Sequence, residues 1–442
     1  MIDTNKIRDF FPAIKAGRLL SNDAASTSPP EQLLKLLEKV IVQYDNVHRG
    51  QSRPSLITTA EFEASYDTIA QFINASSRKN IILYRNTSEA INSVMYSLMT
   101  EFKNGDNVVT TFMEHNSNYV PWYGLCKEIL PKFGVNVELR IAKFDKETGE
   151  LDLGHLASLV DEKTKLVCCT GASNFLGTKN PIKKIKAIAD SSGYVQPDGE
   201  TRSYLLIDGA QVVPNIYVDV NELGIDFLAW SFHKILAPFG VGALYAKEEL
   251  LLRMKPFLYG GDMIADEQVS PEKVGYNVLP WKFTAGTPNI LGTILSAQAL
   301  RLLLDFSLHP AEFHYFMTDK KLEMSDIRKA MGNIESHEEM LIKEALQILS
   351  DIPDLTIFGP KNPASRTALI AFHVKDKSPF KIAEALSEVG VESRAGCHCA
   401  TLAHHYYGLN PPASCRLSFY VYNDIEEVRK ACFAVKKCLA SI

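Results

Sequence analysis

The chain has 442 residues, of which 46% are hydrophobic and 22% charged, and its formal net charge is −5. These proportions are typical of soluble globular proteins, and with no dense stripe of Lys and Arg they argue against nucleic acid and membranes as partners. The length exceeds the size at which one hydrophobic core usually stops growing, so more than one domain is expected. The start lacks the basic and then apolar pattern of a secretory signal, which predicts a cytoplasmic protein.

The first two thirds of the chain alternate between helical and strand patterns. Apolar residues repeat at helical spacing between residues 33 and 44, and short apolar runs follow at residues 81–84, 108–112, 166–169, 204–207, 227–230 and 241–245. This alternation predicts a mainly parallel sheet covered by helices. Within it, residues 191–203 contain Gly193, Pro197 and Gly199, which predicts an exposed loop.

The rhythm changes after about residue 291. A long, charged helical stretch is predicted up to residue 350, followed by strands at 355–358 and 368–374, a helix near 382–389 and a last helix from 425. This pattern is typical of a smaller α+β domain. We therefore expect a large domain over residues 21–292 and a small domain over residues 293–442 that also includes residues 1–20.

An acid and a lysine each follow a buried strand pattern. Asp208 comes directly after the apolar run 204–207, and Lys234 lies just beyond the run 227–230. Both would therefore lie at strand carboxyl ends, where open α/β sheets bind ligands. An aldehyde cofactor needs an amine to hold it and a carboxylate near its pyridine nitrogen, so the pair indicates pyridoxal phosphate chemistry. In the structural alternative, Asp208 caps a helix and Lys234 is a surface lysine.

A phosphate site is predicted at the start of the helix that follows the run 81–84. Asn86 and Glu89 have the spacing of a capping box, and Thr87 and Ser88 lie between them. Free backbone N–H groups at a helix start attract anions, and the two hydroxyls can add hydrogen bonds to a phosphate. A purely structural cap is the alternative interpretation.

Three further polar residues follow predicted strands or turns near this site. His115 can lie on a cofactor ring and move protons, a role suited to a group that titrates near neutrality, although a lone histidine is also often structural. Gln211, one helical turn after Asp208, can donate to the ring's phenolic oxygen. Asn174 follows the run 166–169 and can reach the same side.

In their order along the chain, these motifs resemble class V of the fold-type I pyridoxal phosphate enzymes, and are most similar to Suf-type cysteine desulfurases and selenocysteine lyases. The resemblance covers nearly the whole chain. It implies an α/β fold-type I transferase whose large domain has a mainly parallel seven-stranded sheet, with a smaller α+β C-terminal domain. The matching motifs are Asn22-Asp23-Ala24-Ala25-Ser26, His48-Arg49-Gly50, Thr87-Ser88-Glu89, Glu114-His115, Asp208-Gly209-Ala210-Gln211, Ser231-Phe232-His233-Lys234, Gly260-Gly261-Asp262-Met263-Ile264, Ala285-Gly286-Thr287-Pro288-Asn289, Arg394-Ala395-Gly396-Cys397-His398-Cys399-Ala400 and Cys415-Arg416.

The resemblance also implies a role for each matching residue. Pyridoxal phosphate would be bonded to Lys234 and contacted at its ring by Asp208, Gln211 and His115. Its phosphate would be held by Thr87, Ser88, Ser231, His233 and, in a homodimer, Thr287 of the partner subunit. The amino acid substrate would be bound by Asn174, Arg416 and His48.

Cys399 matches the family's nucleophile. The implied reaction converts L-cysteine to L-alanine and leaves the sulfur on Cys399 as a persulfide, which a sulfur-acceptor protein could then take. Arg394 and His398 are sequence neighbours that can raise the thiolate fraction of Cys399. The alternatives are a selenocysteine lyase, a C–S lyase, an aminotransferase of the same class, or a catalytically silent scaffold.

One position departs from the family pattern. Cys397 stands where the relatives usually have histidine, two residues before the nucleophile, so it could resolve a persulfide, form a disulfide with Cys399 or be the nucleophile itself. The tract 397–415 also offers soft and imidazole ligands for zinc, but it lacks paired CxxC spacing and no metal is expected. The eight cysteines are too sparse for a disulfide scaffold, and Cys168-Cys169 is predicted to be strand core.

Overall fold

The structure is a computed structural model that describes residues 2–48, 50–309 and 321–441, without the side chains of residues 266 and 267. Arg49 of the His48-Arg49-Gly50 motif therefore lies outside the described residues. So do residues 310–320, which fall inside the long helical stretch predicted after residue 291.

A seven-stranded sheet forms the centre of the molecule, in the order β1-β7-β6-β5-β4-β2-β3. Within it only β7 runs antiparallel to its neighbours, which confirms the predicted mainly parallel architecture. Its central strands are buried along their whole length because helices cover both faces, so they read as continuous apolar runs. The strands are β1 Ile81–Tyr84, β2 Asn107–Thr111, β3 Glu138–Ala142, β4 Thr164–Thr170, β5 Tyr204–Asp208, β6 Phe227–Ser231 and β7 Gly242–Ala246.

The sequence patterns did not predict the edge strand β3. Its first residue is exposed, the next three are half-buried and only Ala142 is buried. An edge strand with one partner faces solvent along part of its length, so its sequence Glu-Leu-Arg-Ile-Ala carries no continuous apolar run.

The described residues before Met254 form ten helices, and a two-stranded sheet, β8 Ile264–Val269 with β9 Val274–Tyr276, follows them. The capping residue of α4 is Ser52, whose hydroxyl accepts from the backbone N–H of Ser55. The helices are α1 Thr4–Ile7, α2 Pro12–Lys15, α3 Glu31–Val42, α4 Arg53–Phe72, α5 Thr87–Leu98, α6 Val120–Tyr123, α7 Leu153–Leu159, α8 Ile182–Asp190, α9 Val220–Leu223 and α10 Glu248–Arg253.

Helix α11, Ile290–Leu308, links the two halves of the molecule. By length and composition it is the one helix among the described residues that could cross a membrane, but 78% of its apolar window is buried inside the protein. It packs against α3, α4 and α12, so it is a core helix of the fold.

The C-terminal part forms a four-stranded antiparallel sheet, in the order β10-β11-β13-β12, with helices packed on it. A separate hydrophobic cluster lies between this sheet and helices α12, α13 and α15. This arrangement confirms the predicted α+β character. The elements are α12 Met324–Ser350, β10 Leu355–Phe358, β11 Leu369–Val374, α13 Pro379–Glu388, β12 Arg394–Gly396, α14 Thr401–Tyr407, β13 Ser414–Ser418 and α15 Ile425–Leu439.

The first twenty residues pack against this C-terminal part. Leu19 forms a parallel bridge with Val391, and Arg8 pairs with Glu427 at 2.7 Å. Another hydrophobic cluster is shared between the N-terminal segment, the large sheet and α11, so no break in the core marks the boundary at residue 292. The domain limits stay a prediction.

The loop predicted at residues 191–203 is confirmed, and residues 197–201 are exposed, but the side chains of Tyr194, Gln196 and Arg202 are buried. The Gln196 amide donates to the backbone carbonyls of Lys165 and Arg202 at 2.9 and 3.0 Å, and Arg202 pairs with the fully buried Asp226 at 2.8 Å. Within this loop, Gln196 and Arg202 satisfy polar groups at the amino ends of β4 and β6.

We expect Asp226→Ala to lower the free energy of unfolding by about 3–5 kcal/mol, because a buried charge pair would lose one partner. Asp226 pairs with Arg202 and with Lys247 at 3.0 Å, and it accepts from the backbone N–H of Leu205 at 2.9 Å. Urea unfolding measures the change. The matched control is Glu200→Ala, which removes a 61% exposed partner of the same arginine and should change stability by less than about 1 kcal/mol. Equal effects of the two variants would contradict the prediction.

Candidate active site

A cavity of about 220 Å³ lies at the carboxyl ends of the central strands, where the C-terminal sheet meets the large sheet. Asp208 and Ser231 are the last residues of β5 and β6, and Arg394 and Arg416 come from β12 and β13. Most of the predicted site residues line this one cavity. They are Thr87, Ser88, His115, Asn174, Asp208, Gln211, Ser231, His233, Lys234, Cys399 and Arg416.

Lys234 and Asp208 lie together at the floor of the cavity. Burial lowers the pKa of Lys234 to about 8; the negative charge of Asp208 opposes this shift, and the positive charges of Arg416 and Arg394 add to it. Burial likewise raises the pKa of Asp208, whose carboxylate accepts from the Ala210 N–H at 3.0 Å. In the described chain, no side chain hydrogen-bonds the Lys234 amine, which leaves it available for a ligand.

The shift of Lys234 gives a testable pH dependence. Only a neutral amine is nucleophilic, and lowering the pKa makes Lys234 neutral above about pH 8 instead of above about 10.4, the ordinary lysine value. We expect the rate at which dinitrofluorobenzene modifies Lys234 in the protein without cofactor to rise with pH and level off with a midpoint near 8. Peptide mapping by mass spectrometry measures it, with the exposed Lys183 as internal control. A midpoint near 10 for Lys234 would contradict the expectation.

The amino end of α5 forms the second part of the cavity wall. Asn86 caps this helix by accepting from the Glu89 N–H at 3.0 Å, but the Glu89 carboxylate accepts from the Arg85 N–H at 2.7 Å, so the predicted capping box is only half formed. The Ser231 hydroxyl accepts from the Thr87 N–H at 2.8 Å and lies 2.6 Å from the Thr87 hydroxyl. Strand β6 and helix α5 thus bring their hydroxyls to one point at the amino end of the helix, where a phosphate is favoured.

Two residues complete this end. Ser88 lies 2.5 Å from the hydroxyl of Ser117, a contact that the sequence patterns did not indicate. His233 has a buried Nδ1 without a hydrogen-bond partner among the described residues, and burial lowers its pKa to about 4. A neutral imidazole with one unsatisfied nitrogen can donate to or accept from a ligand placed there.

His115 lies over the cavity and is held neutral. Burial lowers its pKa to about 3, and the positive charges of Lys234, Arg394 and Arg416 add to the shift. Its Nδ1 accepts from the Ser117 N–H at 3.0 Å, which places the ring proton on Nε2. The expectation that His115 titrates near neutrality is therefore wrong for this cavity, while its position suits contact with a flat ring.

The opposite end of the cavity carries positive charge. Arg416 is buried, donates to the Asn174 carbonyl at 2.7 Å and keeps a buried Nε without a partner among the described residues. Arg394 and Arg416 are direct cross-strand partners of β12 and β13. Like charges opposite one another are destabilising unless an anion lies between them, so this pair favours a carboxylate ligand.

From the sequence, Arg394 is predicted only to raise the thiolate fraction of Cys399. It also lines the cavity together with Arg416, and the signal that could have found this is the register of the two strands. Asn174 lies next to them, with its Oδ1 buried and without a partner among the described residues, so it can accept a hydrogen bond from an amino group or donate from its amide nitrogen.

Cys399 lies on a tight turn formed by residues 397–400. The Cys397 carbonyl accepts from the Ala400 N–H at 2.7 Å, and the two central residues, His398 and Cys399, have φ of 51° and 57°. This is the pattern of a type I′ turn, in which non-glycine residues are strained by about 1–2 kcal/mol each. The Cys399 carbonyl accepts from the Asn116 N–H at 2.6 Å, and such fixed partners offset the strain.

The surroundings of the Cys399 thiol are polar. An Nη atom of Arg394 lies 3.9 Å from the sulfur and donates a weak hydrogen bond to it. His398 supplies no charge, because burial and the neighbouring Arg416 hold its pKa well below the usual range. The expected contribution of His398 to the thiolate is therefore wrong.

A hydrogen-bond chain fixes which nitrogen of neutral His398 carries the proton. Nδ1 of His404 lies 2.9 Å from the Ala400 carbonyl and must carry the proton, so its Nε2 accepts from the Ser414 hydroxyl at 2.9 Å. The same hydroxyl accepts from Nε2 of His398 at 3.0 Å. In the part of the chain that the structure describes, no three His, Cys, Asp or Glu side chains are grouped to hold a metal ion.

Two predicted residues lie outside this cavity. Thr287 lines a second cavity of about 420 Å³ beside Arg85 and Glu89, so its expected contact with the phosphate of a neighbouring subunit stays a prediction. His48 packs against Trp281 with ring centroids 4.4 Å apart, and its Nε2 lies 3.6 Å from Glu63. This aromatic packing keeps His48 away from the cavity of its own chain, so the structure does not place it at the substrate there.

The lining residues fit pyridoxal phosphate. The side chains of Lys234, Arg394 and Arg416 outnumber the one lining acid, Asp208, so the cavity favours a ligand with more than one negative charge. Among the described lining residues, buried side-chain atoms without a hydrogen-bond partner lie on His233, at the phosphate end, and on Asn174, His398 and Arg416, at the carboxylate end. An amine and a carboxylate lie between these two ends, where an aldehyde and a pyridine nitrogen need them.

Comparison with known proteins agrees with this geometry. The family model for aminotransferase class V matches residues 19–325 and 319–430. A cysteine desulfurase of Haloferax volcanii is 35% identical over 417 residues, covering 94% of this chain and 88% of the relative, and one of Escherichia coli is 35% identical over 431 residues, covering 96% and 95%.

This chain is also similar to solved structures of cysteine desulfurases. The apo structure of a cysteine desulfurase from Thermococcus onnurineus superposes with a TM-score of 0.85 at 29% identity, covering 100% of this chain and 99% of that one. An Escherichia coli cysteine desulfurase with an S-sulfonic acid gives 0.83 at 27% identity, with 100% of both chains covered. The chain therefore belongs to the class V aminotransferase family of pyridoxal phosphate-dependent enzymes.

Proposed function

We propose that this protein is a pyridoxal phosphate-dependent cysteine desulfurase, which converts L-cysteine to L-alanine and transfers the sulfur to Cys399 as a persulfide. One observation carries the proposal: the Cys399 thiol lines the same cavity as Lys234, Asp208 and Arg416. A transaminase has no need of a thiol at this point, whereas a desulfurase needs a nucleophile within reach of the substrate sulfur. The names of the relatives support the same activity.

The cofactor would be held at both ends and on both faces. Lys234 would bond its aldehyde carbon, and Asp208 would pair with the pyridine nitrogen, which has to stay protonated. Thr87, Ser88, Ser231 and His233 would bind the phosphate, and His115 and Gln211 would contact the ring. When bound, pyridoxal phosphate supplies a ring that withdraws electrons from the substrate α-carbon.

The protein groups then bind and orient the substrate. The guanidinium of Arg416 donates to the backbone carbonyl of Asn174, and the side chains of these two residues would together fix the carboxylate of cysteine. The neutral amine of Lys234, available because burial lowers its pKa to about 8, would take the proton from the substrate α-carbon. The same residue would return a proton when alanine forms.

Sulfur transfer would be carried out by Cys399. Its thiolate attacks the substrate sulfur, the bond between that sulfur and the substrate β-carbon breaks, and the electron pair remains with the carbon fragment that becomes alanine. A sulfur–sulfur bond forms on Cys399 in the same step, so atoms and electrons balance. Arg394 lies 3.9 Å from the sulfur and would orient the thiolate for this attack.

The remaining expectations follow from the family. A homodimer would bring Thr287 of the partner subunit to the phosphate, and a sulfur-acceptor protein would remove the persulfide. We also infer a cytoplasmic location, where cysteines are kept reduced; the eight cysteines are free and six of them are buried.

The test is to incubate the holoenzyme with L-cysteine and a reducing thiol, and to measure alanine and sulfide. A desulfurase gives equal amounts of the two, and alkylation of Cys399 stops both. An aminotransferase or C–S lyase would give a keto acid instead of alanine, and a silent scaffold would give neither product. Any of these last outcomes would refute the proposal.

A further inference from the structure

Cys397 and Cys399 belong to the same four-residue turn but face different spaces. Cys399 lines the inner cavity beside Lys234, whereas Cys397 does not. Both line a second, open groove of about 410 Å³ on the outer side of the turn. Cys399 therefore borders both the inner cavity and the outer groove, whereas Cys397 borders only the outer groove of these two.

The outer groove is built from the C-terminal part of the chain. Its wall contains Phe380, which is 55% exposed, the tract 394–399, and the prolines Pro411 and Pro412. Arg394 lines both the groove and the inner cavity. Cys397 is half-buried there, so it is accessible to a thiol that enters the groove without being fully exposed to solvent.

The turn itself is fixed, which limits how sulfur can leave the cavity. The carbonyls of residues 397, 398 and 399 accept from the N–H of Ala400 at 2.7 Å, from the Asn174 amide at 2.7 Å and from the N–H of Asn116 at 2.6 Å. The first bond closes the turn, and the other two tie its central residues to Asn174 and Asn116, so the turn is held against movement outward as a body. Residues two apart have Cα atoms at most about 7 Å from each other, which lets their side chains meet by rotation alone.

We propose that Cys397 is a second sulfur carrier, which takes the sulfur from the Cys399 persulfide and presents it in the outer groove. This inference rests on the proposed function. The Cys397 thiolate attacks the terminal sulfur of the persulfide, a new sulfur–sulfur bond forms on Cys397, and the bond to Cys399 breaks. Cys399 leaves as a thiolate beside Arg394 and is ready for another cysteine; no oxidant or reductant is consumed.

The position of Cys397 in the outer groove also gives a reason for a second sulfur carrier. An acceptor thiol that collects sulfur from Cys399 directly reacts at a sulfur that also lines the substrate cavity. Transfer to Cys397 moves the sulfur to the side of the turn away from Lys234, so delivery and the next reaction no longer compete for one space.

The experiment follows the sulfur in the holoenzyme given one equivalent of L-cysteine without an acceptor thiol. The reaction is quenched by alkylation at successive times, digested with trypsin and analysed by fragmentation mass spectrometry. Both cysteines fall in one tryptic peptide, between Arg394 and Arg416, and His398 separates them so that fragment ions locate the added sulfur. We expect it first on Cys399 and then on Cys397.

Two variants make the outcome decisive. In Cys397→Ser, the sulfur should stay on Cys399 after the first alanine is formed, and its later transfer to glutathione should slow roughly tenfold. In Cys399→Ala, Cys397 should receive no sulfur. The control Cys438→Ser alters a cysteine near the end of α15 and should behave as the unmodified protein does.

Three results would overturn the inference. Sulfur that is found only on Cys399 in the unmodified protein, with alanine formed normally, would remove Cys397 from the path and leave the proposed function intact. A disulfide between the two cysteines with release of free sulfide would show attack on the inner sulfur instead. Loading of Cys397 in Cys399→Ala would make Cys397 the first nucleophile. Absence of alanine altogether would refute the proposed function itself.

Discussion

Replacing Cys399 with alanine is expected to lower sulfur transfer from cysteine by at least about 10³-fold, because the variant has no nucleophile at the point where the substrate sulfur lies. The side chain is small and half-buried, and the turn around it is held by backbone hydrogen bonds that do not involve the thiol. The fold and the cofactor site should therefore remain. Alanine and sulfide formation measure the loss, and the absorption of bound cofactor reports that the site is intact.

Cys438→Ala is the matched control for this variant. Its thiol donates to the Ala385 carbonyl in the C-terminal part and lies in the hydrophobic cluster of that part, away from the cavity lining. It should keep full activity. If Cys399→Ala retained more than about a tenth of the activity, Cys399 would not be the nucleophile.

Replacing Lys234 with alanine is expected to lower the rate of alanine formation by at least about 10³-fold. The variant loses the amine that bonds the cofactor and moves the α-proton, and proton transfer alone is worth about 10²–10⁴-fold. Asp208 would also keep its buried carboxylate without the positive charge that now lowers its pKa. Borohydride reduction of the unmodified holoenzyme, followed by peptide mapping, should find the cofactor on Lys234 and nowhere else.

Lys183→Ala serves as the control, because its amine is exposed and pairs with Glu222 on the surface. It should change neither the activity nor the cofactor content. Cofactor that remains covalently attached in Lys234→Ala, or activity within tenfold of the unmodified protein, would assign the anchoring role to another amine.

The sequence alone predicts every strand of the large sheet except β3, and it identifies candidate residues for the phosphate and lysine ends of the site. Strands buried on both faces must be apolar throughout, so β4, β5 and β6 were visible as short apolar runs. Asp208, Ser231 and Lys234 follow such runs within four residues, which predicts their position at the carboxyl edge of the sheet. Edge strand β3 was not predicted, because a half-exposed strand does not need a continuous apolar run.

Two segments contain polar side chains whose contacts the sequence does not reveal. Residues 191–203 have the composition of a loop, and only the packed structure shows Arg202 against Asp226 and Gln196 against the carbonyl of Lys165. His48 has the sequence context of a family motif, but its ring packs on Trp281. Composition does not reveal whether a polar side chain has found a buried partner, because that partner lies far away in the chain.

The family, and the residues proposed to carry its chemistry, were therefore determined by the amino-acid sequence by itself, because the motifs are local and follow predictable strands. Only the tertiary structure decided the protonation states of these residues and the cavity that each side chain lines. The shifted pKa values of Lys234 and His115 arise from burial and from charges brought in by distant strands. The separation of Cys397 from Cys399 arises from a turn whose left-handed residues are held by Asn116 and Asn174, far earlier in the chain, and no local pattern encodes such contacts.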